Sequence, residues 1–287
     1  MRFDIQPLSN GIGAKIGGVD LSRPPDNATA AALRDAWHQY ILLLFPNQEL
    51  DDRALKGSAR WLGTPGSISM PVERRGDDDT DIALVSNIVD ETGAPIGALG
   101  DGEMWFHHDN CFEPKPDKAT FLYALELPPE GGNTMFGNCY LAWEELPVDL
   151  RSAIAGRQVL QVYDYTVRRS PDLDRLDGVR HHWQPATVTH PVTGKIALYI
   201  DRLMTAAVSG YDRSTSDKLL AAVFPYVERV DYEHVWRLGD YVIWDNRCSV
   251  HARTDFDPTE RRLLKRGKID GEKLIAGKES VDHHHST

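Results

Sequence analysis

The chain has 287 residues with 41% hydrophobic content, enough to bury a full core, and one domain is expected over residues 1–278. A net charge of −11 excludes a general nucleic-acid surface, and three scattered cysteines (Cys111, Cys139, Cys248) exclude a disulfide framework or a cysteine-rich zinc site. The N-terminal residues lack the apolar stretch of a secretory signal and no apolar run approaches the roughly 18 residues of a membrane span, so a soluble cytoplasmic protein with no membrane partner is expected.

Asp26 and Asn27 are good helix caps, and Leu33, Trp37, Tyr40, Ile41 and Leu44 follow at helical spacing. This predicts an amphipathic helix within 26–45 that runs into a buried apolar segment. Asp51 caps a second predicted helix over 51–62. Residues 64–80 and 90–104, rich in Gly, Pro, Asp and Ser, read as loops, and Arg74-Arg75-Gly76-Asp77-Asp78-Asp79 reads as a solvated part of the first. From 105 the pattern turns to strands, at 118–126, 133–137, 187–200, 231–237, 240–245 and 262–270, with helices at 140–156 and 214–229. Turns such as Pro128-Pro129-Glu130-Gly131-Gly132 and Pro191-Val192-Thr193-Gly194 separate them. The expected fold is mainly β with flanking helices, a double-stranded β-helix of the jelly-roll, cupin-like kind. An ordinary β-sandwich without a site is the alternative. Residues 279–287, including His283, His284 and His285, read as a tail.

The most informative motif is Trp105-Phe106-His107-His108-Asp109-Asn110. If His107 and Asp109 share a strand, their period of two puts both side chains on one face, where they can bind one metal. His251, in Trp244-Asp245-Asn246-Arg247-Cys248-Ser249-Val250-His251, would complete a 2-His-1-carboxylate set, the pattern of non-haem Fe(II) oxygenases. His108 then points away from the metal. His190 reads as a hydrogen-bonded turn residue, and His181 and His182 as loop residues within reach of the pocket. Cys111 either lines the site or is a small buried hydrophobe.

Five signals occur in order: the His107/Asp109 pair, Gly131-Gly132-Asn133-Thr134, Thr189-His190-Pro191-Val192-Thr193-Gly194-Lys195, Trp244-Asp245-Asn246-Arg247 with His251, and Arg262 followed by Arg266. In that order they resemble the Fe(II)/2-oxoglutarate-dependent dioxygenases of the taurine dioxygenase and 2,4-dichlorophenoxyacetate dioxygenase (TauD/TfdA) family. The resemblance runs from Gly11 to Gly271 and is strongest over 105–136 and 236–267. It implies that His107, Asp109 and His251 are the catalytic iron ligands and that Thr134 and Arg262 bind 2-oxoglutarate. It also implies that Arg266 contacts an anionic group of the substrate. Chemically, a facial triad leaves room for the keto acid and for O2, and a guanidinium can clamp the distant carboxylate in bidentate fashion. The eleven residues from His251 to Arg262 suffice to turn and return on a neighbouring strand facing the same interior. At an even offset Arg266 faces the same side as Arg262, which leaves Arg261 and Lys265 to surface salt bridges.

The chain departs from the family in places. Ser67-Ile68-Ser69-Met70-Pro71-Val72 has no histidine where taurine dioxygenase holds a sulfonate, Phe106 replaces a tryptophan, and Asn133 replaces an aspartate. A pocket lined by Met70, Phe106, Cys111, Arg202 and Leu203 suggests a larger or aromatic organic acid. Retention of Asp109 favours oxygen insertion or desaturation over halogenation. The expected activity is hydroxylation of a small anionic organic substrate such as a sulfonate or an aryloxy or aryl carboxylate, with cleavage where the carbon bears a heteroatom and release of succinate and CO2. A biosynthetic hydroxylase or desaturase acting on an amino-acid-like intermediate is the alternative within enzymes. A non-catalytic acid-binding jelly roll and a zinc hydrolase are the rivals outside this chemistry. A homo-oligomer, dimer or tetramer, and no nucleic-acid partner are expected.

Overall fold

The computed structural model describes residues 3–67, 81–100, 104–163, 172–173 and 175–278. In chain order its elements are β1 (Asp4–Pro7), β2 (Ala14–Gly17), α1 (Asn27–Tyr40), β3 (Leu42–Phe45), α2 (Asp52–Ser58), β4 (Ala83–Ser86), β5 (Met104–His107), β6 (Ala119–Glu126) and β7 (Thr134–Asn138). There follow α3 (Cys139–Glu145), α4 (Val148–Ile154), β8 (Gln158–Val162), β9 (His181–Pro185), β10 (Thr187–Thr189), β11 (Ile196–Leu198) and β12 (Thr205–Val208). The chain continues through α5 (Arg213–Val227), β13 (Tyr232–His234), β14 (Tyr241–Asp245), β15 (Ser249–Arg253) and β16 (Leu263–Ile269).

Two sheets frame the site. The larger has the order β1-β2-β3-β14-β6-β16-β4 and the smaller β13-β7-β15-β5. Strands β3, β6 and β14 read as nearly unbroken apolar runs because both faces of the larger sheet are covered. Leu43, Phe45, Phe121, Tyr123, Tyr241 and Ile243 join one cluster with Leu33, Trp37 and Leu55 of α1 and α2. The alternate residues Leu42, Leu44, Leu122, Val242 and Trp244 join a second cluster that also holds Phe136, Val250 and Ala252 of the smaller sheet. The period of two thus feeds two cores from the same strands. Among the described residues no helix is long and apolar enough to cross a membrane.

The predicted elements are present with three revisions. Helix α1 starts where the Asp26 side chain accepts from Thr29 N at 2.7 Å, but it ends at Tyr40. Ile41 takes a left-handed φ of 67°, and Leu42–Phe45 pairs as a strand with β14. The helix predicted over 140–156 divides into α3 and α4 at Pro147, whose ring cannot continue a helix ladder. The strand predicted over 187–200 is the hairpin β10-β11, turned by Pro191-Val192-Thr193-Gly194. His181 and His182, expected in a loop, lie on β9 paired with β8, and neither lines the main cavity.

Candidate active site

β15 carries His251 opposite His107, the last residue of β5, and the two are cross-strand partners. Their rings lie 4.2 Å apart. Asp109 does not share the strand with His107, as period two requires. β5 ends at His107, and Asp109 sits in the turn beyond it, where Asn110 has φ 52°. That turn still brings the carboxylate in, with Oδ1 3.9 Å from His107 Nε2 and Oδ2 3.7 Å from His251 Nε2. One ligand atom from each residue lies within 4.8 Å of the other two.

The donor set suits a divalent iron. Nδ1 of His107 is 2.8 Å from the Trp105 carbonyl, so the ring donates there and keeps the Nε2 lone pair toward Asp109. His251 is oriented by Trp244, at 4.7 Å between ring centroids, and by Phe136. Burial first, and then the neighbouring His107, hold its imidazole well below the usual histidine range, so it is neutral as a ligand must be. Burial by itself raises Asp109, but the Arg266 guanidinium and the Thr120 hydrogen bond hold the carboxyl below the usual carboxylate range.

These groups open onto a cavity of about 780 Å³ that Thr134, Arg262, Arg266, Met104 and Leu122 also line. Thr134 opens β7, and its hydroxyl accepts from Trp236 Nε1 at 3.0 Å, which leaves its own hydrogen for an acceptor. Arg262 is 2% exposed, and its Nε and Nη2 both donate to the Gly132 carbonyl, at 3.2 and 3.0 Å. Glycine is required at 132: the backbone has φ 64°, and a Cβ there would meet Arg262 Nε at 2.9 Å. The connection from His251 to Arg262 leads to the opposing sheet and not to a neighbouring strand, so histidines and guanidinium face each other across the cavity.

Arg266 lines the same cavity, with Nη2 2.9 Å from Asp109 Oδ1 and 3.8 Å from Asp117. Arg261 forms the expected exposed pair, with Glu126, whereas Lys265 reaches the buried Asp52. Phe106 is not in the cavity wall. A register shift in the β5-β15 ladder lets Met104 and His107, three apart, face the cavity opposite Arg253 and His251, and Phe106 turns into the core. Arg202 pairs with Glu228 at the surface and Leu203 packs on the core, so neither lines the cavity. Cys111 is fully buried, with Sγ 3.8 Å from Asp201. His108 points away from the cavity to the same carboxylate, at 3.1 Å. Met70 lies outside the described residues, as do Arg74 to Asp79 and the 279–287 tail.

Sequence reasoning passed over Thr120, whose hydroxyl bonds Asp109, and Asn246, which bonds Thr120. Asn246 was visible only as part of Trp244-Asp245-Asn246-Arg247, and nothing in the sequence around Thr120 marks it. A second cluster, His190, Asp245 and Cys248, could by its atom types hold an ion. Its hydrogen bonds say otherwise: His190 Nδ1 accepts from Val192 N and Thr193 N, and Nε2 donates to Asp245 at 3.0 Å. Arg247 also grips Asp245, so this cluster is structural.

The family model described as "Taurine catabolism dioxygenase TauD, TfdA family" matches residues 4–267. The chain belongs to the TauD/TfdA family. Membership makes it a dioxygenase that uses Fe(II), 2-oxoglutarate and O2, in agreement with the donor set above. It is 32% identical over 284 residues to pentalenolactone F synthase of Streptomyces avermitilis, covering 89% of this chain and 90% of that protein. It is 30% identical over 288 residues to an alpha-ketoglutarate-dependent sulfate ester dioxygenase of Pseudomonas putida, covering 95% and 91%. The fold is that of a taurine dioxygenase from Burkholderia xenovorans, with a TM-score of 0.79 at 24% identity over 96% of this chain and 93% of the other.

Proposed function

We propose that the enzyme hydroxylates an unactivated C–H bond in a small anionic organic substrate such as a sulfonate or an aryloxy or aryl carboxylate, and cleaves it where that carbon bears a heteroatom. The balance is substrate C–H, O2 and 2-oxoglutarate to substrate C–OH, succinate and CO2. Iron and 2-oxoglutarate supply the oxidising chemistry when bound. His107, Asp109 and His251 hold the iron, Thr134 and Arg262 take the distal carboxylate of 2-oxoglutarate, and Arg266 meets the anionic group of the substrate.

The observation that carries this reading is the convergence of two imidazoles and one carboxylate within 4.8 Å at the wall of a cavity that also holds Arg262, Thr134 and Arg266. Arg262 and Thr134 orient the co-substrate by its remote end, which fixes its keto-acid end toward the histidines. A volume of about 780 Å³ lies in the upper part of the usual ligand-pocket range of about 300–1,000 Å³, with room for a substrate larger than taurine beside the co-substrate. Phe106 drops out of the substrate wall, and Met104 takes its place.

A second reading, a biosynthetic hydroxylase or desaturase, is favoured by the identity to pentalenolactone F synthase. Succinate release in the presence of Fe(II), O2 and a panel of organic acids decides between them. Stimulation by sulfonates, sulfate esters or aryloxy acids supports the first reading, and stimulation only by biosynthetic intermediates the second. We further infer that residues 1–278 form one domain, as length and composition suggest, that the protein works in the cytoplasm, where its three scattered cysteines stay reduced, and that it is a homo-oligomer, as the family resemblance implies.

A further inference from the structure

Strand β16 carries a lysine as well as an arginine into the cavity. From Leu264 onward its side chains alternate between the two faces of the sheet. Lys265 reaches Asp52 of α2, and Ile269 joins the cluster of α1 and α2. Leu264 joins the opposite core, and on that same face Arg266 and Lys268 line the cavity. Lys268 pairs with Thr120 of β6 in the ladder, and Thr120 bonds Asp109, so the lysine enters beside the metal turn. Along the strand it lies beyond Arg266, on the side away from Arg262.

Asp117, 3% exposed, holds the two cations next to each other. Its Oδ1 accepts from Lys268 Nζ at 2.8 Å, and its Oδ2 lies 3.8 Å from Arg266 Nη2. Asn110 Nδ2 donates to the same Oδ2 at 2.6 Å, which ties this carboxylate to the turn that carries Asp109. The stem of Lys268 runs close under residue 66, where a Cβ would meet Lys268 Cε at 2.8 Å, so glycine there keeps the lysine in this place. Asp117 is the one hydrogen-bond acceptor of the ammonium among the described residues. An ammonium has three donors, so Lys268 can give another to a ligand without leaving Asp117. The two heads are complementary: Arg266 offers a flat fork for two oxygens, and Lys268 adds a compact charge whose donors rotate to a further lone pair.

We propose that Lys268 is a second cation for the anionic group of the substrate, which it binds together with Arg266 from its place on Asp117. The proposal rests on the assignment of Arg266 to that group. Lys268 is then a determinant of substrate selectivity and takes no part in holding 2-oxoglutarate.

The test is calorimetric titration, without oxygen, of the protein loaded with Fe(II) and 2-oxoglutarate, using hexyl sulfate, hexane-1-sulfonate and phenoxyacetate as probes. Lys268→Gln leaves the buried Asp117 without its ammonium and risks the fold. The double variant Lys268→Gln/Asp117→Asn, which removes both charges and keeps an acceptor for Asn110, is therefore measured beside it. Both are expected to weaken binding of the acids that the wild type binds by on the order of tenfold, while 2-oxoglutarate binding to the Fe(II) protein stays within about twofold. Lys268→Arg, which keeps the charge, should recover part of the loss. Unchanged acid binding in both variants, while Arg266→Gln weakens it, would overturn the role of Lys268 and leave Arg266 standing. Equal weakening of the acids and of 2-oxoglutarate would also overturn it, because the lysine would then only support the metal turn. If Arg266→Gln leaves acid binding unchanged too, or if the wild type binds none of the three acids, the reading of this end as an anion site is itself wrong.

Discussion

Thr120 Oγ1 donates a 2.6 Å hydrogen bond to Oδ2 of Asp109. The same hydroxyl accepts from Asn246 Nδ2 at 2.9 Å, and Asn246 Oδ1 accepts from Trp244 Nε1 at 2.9 Å. Trp244 in turn packs at a tilt against the His251 ring. The carboxylate and one of the imidazoles are therefore held by a single chain of three side chains that are themselves 0% exposed. Such outer partners fix the rotation of a ligating carboxylate before the metal arrives. Thr120→Val keeps the shape and removes the donor. It is expected to lower Fe(II) affinity by about 10–100-fold, measured by competition with a chelator, with circular dichroism unchanged. An unchanged affinity would show that Arg266 alone orients Asp109.

Asp109→Ala removes the anionic ligand itself. The fold should persist, since Asp109 belongs to a turn and not to a ladder, while 2-oxoglutarate decarboxylation should vanish with every substrate. Succinate release by the folded variant at the wild-type rate would remove Asp109 from the ligand set.

Arg262, just before β16, and Arg266, on β16, line the same cavity but touch different groups, Gly132 and Asp109. Arg262→Ala is expected to raise the KM for 2-oxoglutarate by on the order of tenfold or more, with the substrate KM little changed. Arg266→Ala should act mainly on the substrate KM. Steady-state kinetics with each ligand varied in turn separates the two, and identical profiles would refute the division.

Asp245 supports the fold and not the chemistry. Burial alone raises its carboxyl, but Arg247 and His190 more than offset this and hold it below the usual carboxylate range. A carboxylate lowered on folding stabilises fully above its unfolded value near 3.9 and loses that contribution as pH falls toward its folded value. Asp245→Asn leaves Arg247 and His190 without the buried charge and should cost about 3–5 kcal/mol at pH 7. The difference should shrink below about pH 4. Urea unfolding at both pH values checks the magnitude and the sign, and a difference that grows in acid would contradict the account.

The residue types of the site were legible in the sequence, and their local geometry was not. His107, Asp109 and His251 could be singled out because two histidines and a carboxylate at family spacing make a specific pattern. That Asp109 lies off the strand depends on Asn110 adopting a left-handed backbone, a choice made by the packed turn. Leu42-Leu43-Leu44-Phe45 continues the helical periodicity of α1 as well as it forms a strand, and the left-handed Ile41 that decides between them is not signalled locally. Phe106 and Met104 exchanged roles because a one-residue irregularity in the β5-β15 ladder re-aims the wall. The bond from Thr120 to Asp109 had no readable signal, because it arises only when strand β6 is brought against the turn that follows β5.

The central claim is that His107, Asp109 and His251 hold an iron to which 2-oxoglutarate binds. Its most direct test is an anaerobic titration of the metal-free protein with Fe(II) and 2-oxoglutarate, followed in the visible range. The account predicts a metal-to-ligand charge-transfer band that saturates at one iron and one 2-oxoglutarate per chain and is absent from Asp109→Ala. A folded wild-type protein that binds both components without developing the band would contradict it.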